Sequence, residues 1–171
     1  MKMTVKNLAS AAVVGAAYYA LTMLVAPVAF GAAQFRVSEA LCILPAFFPA
    51  SAWGLWVGCA FANFFGGYGL PDIVFGSLAT LGCGLCVAAI AGKRSHPLKI
   101  WRCIAVCLMP AVWNAPIVGA VIAWSTGAFW AAFPLTALQL AVEEAGVMFI
   151  IGLPLMKLLP RSRAFMSLAR A

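Results

Sequence analysis

A chain of 171 residues in which 65% are apolar, 9% are charged and the net charge is +7 has too little polar surface to cover a water-soluble domain. Mean hydropathy is strongly positive, so the expected class is all-α, an integral bundle of transmembrane helices in the cell membrane. The excess of positive charge then reads as orientation and contact with anionic headgroups, and excludes a nucleic-acid surface as the first explanation.

Ten of the eleven basic residues fall in three groups: Lys2 and Lys6; Lys93, Arg94, Lys99 and Arg102; and Lys157, Arg161, Arg163 and Arg170. The positive-inside rule puts all three in the cytoplasm. The apolar stretch 8–28 is read as the first span rather than a removed signal peptide, being too long and without a convincing cleavage pattern. Within it, "LASAAVVGAAYYALT" repeats Ala12, Ala16 and Ala20 every four residues beside Gly15. Such a flat face of small side chains suits close helix approach, either packing within the bundle or, the favoured reading, an external partner helix. To return to the basic loop at 93–102 the chain must then cross an odd number of times. Three crossings fit, at about 37–50, 52–66 and 72–92, separated by "PASA" and "GGYGLPD". The second of these is short and carries Pro45 and Pro49, so an irregular or tilted helix is expected there. Residues 103–124 go out and 129–158 return. The expectation is one domain over residues 1–171, with six spans and both termini cytoplasmic.

Ionisable side chains inside a span cost about 2.5–3.5 kcal/mol on insertion scales, so they normally face a bundle interior and serve a function. The acidic set is Glu39, Asp72, Glu143 and Glu144. Counting about 1.5 Å per residue from the basic anchors puts Asn63, Asn114 and Glu144 in one layer, roughly 18–20 Å above the cytoplasmic boundary. Gln34, Arg36, Glu39 and Asp72 are expected above that layer, roofing a polar pocket open to the outside. Several of these have a plainer alternative, Glu143 and Glu144 being the hardest to dismiss. Asp72 follows Pro71 and suits a helix N-cap equally; Arg36 and Glu39, three apart, could simply pair with each other; Asn63 and Asn114 serve as well as interhelical glue. Phe35, Tyr68 and Trp113 would suit a flat ring.

"CGLC" at Cys83 and Cys86 puts two thiols on one helix face, but no thioredoxin-like unit surrounds them, and the six cysteines read as small packing residues. Cys59, Cys103 and Cys107 complete no metal set with His96, the single histidine. Neither a metal nor a cofactor is expected. No G-x-x-x-x-G-K-[ST] motif is present, so energy for any transport must come from elsewhere. Two other classes remain: a self-sufficient secondary transporter, which should show internal repeats that are not evident here, and a membrane thiol oxidoreductase using Cys83 and Cys86.

Taken together, "QFRVSEAL", "LPAFFP", "ANFFGGYGLPDIVFGSLATL" and "EAGVMFIIGLPL" resemble the QueT family, the substrate-binding S-components of energy-coupling factor (ECF) transporters, over roughly residues 8–158. The resemblance implies a six-helix fold with an external pocket for a queuosine precursor, 7-aminomethyl-7-deazaguanine or a near relative. It further implies a transmembrane coupling subunit that contacts the small-residue face of the first helix, and two ATPase subunits. By motif it assigns Gln34, Arg36 and Glu39 to the signature at 34–41, Asp72 to the "GLxD" turn and Glu144 to the late glutamate. Glu143 stands where the family usually has glycine. Gln139 shares a helix face with Glu143 rather than Glu144, which leaves open which glutamate faces inward.

Overall fold

The computed structural model describes residues 4–31, 34–92 and 97–170; Lys2, Lys93, Arg94 and His96 lie outside them. Six helices form the body: α1 (Val5–Leu24), α2 (Val37–Ala46), α3 (Ser51–Phe64), α4 (Gly69–Ala91), α5 (Ile100–Ser125) and α6 (Phe129–Arg161). A short α7 (Arg163–Arg170) follows, and a single turn, Ala26–Ala29, extends the end of α1. No strand occurs among the described residues.

Side-chain contacts give the directions. Ala11 and Gly15 of α1 meet Gly54 and Gly58 of α3 in the same order, so these two helices run parallel. Helices adjacent in sequence run antiparallel: Thr22 and Tyr18 of α1 meet Ser38 and Glu39 of α2, and Cys59 and Asn63 of α3 meet Thr80 and Asp72 of α4. Likewise Arg102 at the start of α5 donates to the Ile90 carbonyl at the end of α4, and Gly119 of α5 meets Thr136 of α6. An up-and-down order follows. It gathers Lys6, Lys99, Arg102, Lys157, Arg161 and Arg163 at one end of the bundle, as the charge pattern requires.

Four helices, α1, α4, α5 and α6, are long and apolar enough to cross a membrane. The other two are shorter than the sequence suggests. Instead of a span at 37–50, α2 is a 10-residue 3-10 helix with Pro45 inside it, which at about 2.0 Å per residue covers roughly 20 Å. At 14 residues, α3 covers about 21 Å. Both fall short of the roughly 30 Å hydrocarbon core.

Two π-helical turns interrupt longer helices, at Asp72–Gly76 in α4 and Met148–Gly152 in α6. The second precedes Pro154, which cannot donate to a carbonyl one turn back and so disturbs the ladder at that point. The core is built from Tyr18, Ile43, Leu55, Val87, Val106 and Met148 among others. Large apolar side chains such as Phe61, Phe64, Trp124, Trp130 and Leu135 point outward, as befits a surface whose solvent is lipid. At the basic end, Phe165 of α7 meets Phe47 and Phe48 edge-on, with ring centroids 5.2 and 5.3 Å apart, and so covers the end of α2.

Candidate functional site

The polar side chains of this chain converge in the bundle interior. Arg36, just ahead of α2 in extended conformation, is buried and reaches across to the α3/α4 hairpin. Its Nη1 donates to Asn63 Oδ1 at 2.9 Å, and its Nη2 lies 3.5 Å from Asp72 Oδ2. The Phe30 ring lies beneath the guanidinium, 5.4 Å from its centroid, where a cation–π attraction operates. Asn63 also donates from Nδ2 to the Asp72 carbonyl at 2.9 Å. That amide thus spends both ends holding Arg36 and the π-helical turn together.

Gly76 closes this turn, and a Cβ there would stand 2.6 Å from Asp72 Oδ1 and 2.8 Å from Asn63 Nδ2. Only glycine leaves room for the pair. Asp72 lies inside a continuous helical run and makes no capping bond, so the N-cap alternative is set aside. Arg36 and Glu39 do not pair with each other: Glu39 accepts from the Tyr18 hydroxyl, while its second oxygen accepts from the Cys42 thiol at 3.1 Å. The 3-10 geometry explains the latter contact, because residues three apart eclipse one another in that helix.

Across the bundle, Asn114 of α5 donates to Glu144 Oε1 of α6 at 2.8 Å. Glu144 is buried. Its neighbour Glu143, rotated about 100° around α6, is only partly buried and accepts from Gln139 at 2.9 Å. The inward glutamate is therefore Glu144, and Glu143 does not line the central cavity.

That cavity is small, about 10 Å³, and is lined by Gln34, Arg36, Thr80, Asn114, Leu140 and Glu144 with Gly76 and Val118. It has room for about one water. Arg36 lines it directly while bonding Asn63, so the signature residues lie level with the asparagine layer instead of forming a roof above it. Glu39, Asn63 and Asp72 are buried alongside without lining it. Neither Phe35, Tyr68 nor Trp113 lines it; the Trp113 ring lies against Gly82.

Two features of this layer are costly for a folded chain. Gln34 adopts φ 43°, the left-handed region that few side chains other than Asn and Asp tolerate. Several buried atoms also lack a hydrogen-bond partner among the described residues: both amide atoms of Gln34, Nε and Nη2 of Arg36, both Asp72 carboxylate oxygens, Asn114 Oδ1 and Glu144 Oε2. The Arg36–Asp72 contact is an ion pair without hydrogen-bond geometry, so it satisfies charge and leaves those atoms undirected. Each orphaned buried polar group costs about 1–3 kcal/mol.

Sequence reasoning missed Tyr18, Thr22, Ser38, Cys42 and Thr80, all buried in or beside this layer. Their signal was weak, because hydroxyls and thiols occur throughout apolar helices. Among the described residues no set of His, Cys, Asp and Glu is arranged to hold a metal. All six cysteines are free thiols, Cys83 buried and Cys86 partly so.

A larger concavity lies elsewhere. An apolar groove of about 660 Å³ runs between α1 and α3, lined by Ala12, Gly15, Ala16, Val57, Phe61 and Phe65 among others. Having almost no polar group with which to orient a heteroaromatic ring, it suits a helix or acyl chain better than a polar solute. Ala12, Ala16 and Ala20 are all exposed, with Ala20 just beyond the groove lining.

No curated protein and no solved structure matches this chain. A family model described as QueT transporter matches residues 8–161, nearly the whole chain and every element that builds the polar layer. The chain accordingly belongs to the QueT transporter family and is a multi-pass membrane S-component of the ECF type.

Proposed function

We propose that this chain is the substrate-binding subunit of an ATP-driven importer and that the buried polar layer captures a queuosine precursor, 7-aminomethyl-7-deazaguanine or a close relative, from outside the cell. The observation that carries the reading is the set of unpartnered atoms. Acceptors dominate it: the Asp72 carboxylate, Glu144 Oε2, Asn114 Oδ1 and Gln34 Oε1 stand against Gln34 Nε2 and the free nitrogens of Arg36. A ligand rich in N–H donors, with a cationic substituent and one carbonyl acceptor, satisfies such a set. A deazaguanine offers a ring N–H and an amino group to one carboxylate, its carbonyl to an amide or the guanidinium, and its ammonium to a second carboxylate. The cavity of about 10 Å³ is far too small for a bicyclic ring, so binding requires the Arg36–Asp72 and Asn114–Glu144 pairs to separate and accept the ligand between them.

In this reading the whole chain acts as one unit with six membrane-embedded helices, its basic end in the cytoplasm. The α1/α3 groove, with Ala12 and Ala16 at its edge, receives a helix of the transmembrane coupling subunit, and two ATPase subunits supply the energy. The test is titration calorimetry on the purified chain with 7-aminomethyl-7-deazaguanine. One saturable site is expected, weakened about ten- to hundredfold by Glu144→Gln through loss of a charged hydrogen bond. Binding unaffected by Glu144→Gln in a folded protein would remove this layer from the ligand site.

A further inference from the structure

On its buried edge, α1 carries two hydroxyls that grip the start of α2. Tyr18 is fully buried and donates to a Glu39 oxygen. Thr22, also fully buried, donates to the Tyr18 carbonyl at 2.9 Å. With its one hydrogen committed there, Thr22 Oγ1 accepts from the Ser38 hydroxyl, 2.7 Å away. Two successive residues of the binding signature, Ser38 and Glu39, are thus tied to one turn of α1. They stand two and three positions after Arg36, whose guanidinium lines the cavity.

The ties add to the contacts that Arg36 makes with Asn63, Asp72 and Phe30, fixing the segment from the side of α1. Arg36 is extended, with no side-chain cap for the helix it precedes, and Gln34 is held at positive φ. A 3-10 helix has poorer hydrogen-bond geometry than an α-helix and gives weaker local order. Neither Tyr18 nor Thr22 touches the cavity, so their effect on a ligand must pass through residues 36–39. We infer that Tyr18 and Thr22 are positioning residues for the ligand site, holding Ser38 and Glu39 so that Arg36 is delivered to the asparagine layer in its binding geometry. The inference rests on the functional reading above. Because the opposite face of α1 presents Ala12, Ala16 and Ala20, it also makes one helix the mechanical link between the partner-facing groove and the site.

The experiment is calorimetric titration of 7-aminomethyl-7-deazaguanine into the purified full-length wild type and the Tyr18→Phe, Thr22→Val and Thr22→Ser variants, beside thermal melting of each ligand-free protein. Tyr18→Phe and Thr22→Val keep side-chain volume while removing the hydroxyl, and each should weaken binding about tenfold. Thr22→Ser restores the hydroxyl and should bind within about twofold of wild type, which a purely packing role for Thr22 does not predict. Affinity should fall further than any change in melting accounts for. Wild-type affinity in Tyr18→Phe and Thr22→Val, or equal losses in Thr22→Ser and Thr22→Val, overturns the inference alone. Absence of binding by the wild type overturns the functional reading and this inference with it.

Discussion

Single residues carry this site because charge is rare in the chain and every charged group in lipid needs a reason. Gly76 illustrates how tightly the residues are fitted. Adding one methyl would push into Asp72 Oδ1 and Asn63 Nδ2, so Gly76→Ala should cost about 1–3 kcal/mol of stability and lower ligand affinity, read by thermal melting and titration of the same preparation. Gln34 should behave in the opposite sense. Its left-handed backbone is tolerated more easily by glycine, so Gln34→Gly should leave the melting temperature unchanged or higher while ligand affinity drops; affinity and stability falling together would make Gln34 structural. The chemistry-bearing residues were legible, since a carboxylate, guanidinium or amide stands out within apolar runs. Their pairing was not. Arg36 with Asp72 and Asn114 with Glu144 are long-range contacts set by helix rotation, and the choice between Glu143 and Glu144 is a phase of about 100° that an unbroken apolar pattern does not reveal.

At the scale of elements, α1 shows two small-residue faces, one packed against α3 and one exposed. Its inner face packs on α3 so closely that a Cβ at Gly54 would fall 1.9 Å from the Ala11 carbonyl oxygen. Gly54→Leu should therefore prevent the two helices from meeting, giving a chain that neither folds stably nor binds. On the outer face, Ala16 is exposed at the groove edge, and Ala16→Trp should leave folding and ligand binding intact while blocking association. Co-purification with the coupling subunit, alongside titration of the isolated chain, separates the two. Loss of ligand binding in Ala16→Trp with the complex still assembled would make the outer face internal packing. The helical segments and their order were readable from apolar runs between basic anchors. The lengths of α2 and α3 were not, because Pro45 and the 3-10 geometry shorten a segment that composition alone extends to residue 50. The π-helical turns also left no clear trace, although Pro71 directly precedes the first and Pro154 stands two residues after the second.

Viewed whole, the molecule separates its tasks by chemistry: a polar interior with unmet hydrogen bonds, an apolar groove without them, and a basic end. The proposed function assigns solute capture to the interior, partner docking to the groove and orientation to the basic end. The broad class was readable from composition, whereas the proposed ligand rests on the family and on the donor and acceptor inventory that folding assembles. The most direct measurement is uptake of labelled 7-aminomethyl-7-deazaguanine by vesicles carrying the purified chain, with and without the coupling and ATPase subunits. The account predicts saturable, roughly stoichiometric binding by the chain alone, and accumulation only when the partners and ATP are present. Accumulation by the chain alone, or no binding under any condition, would contradict it.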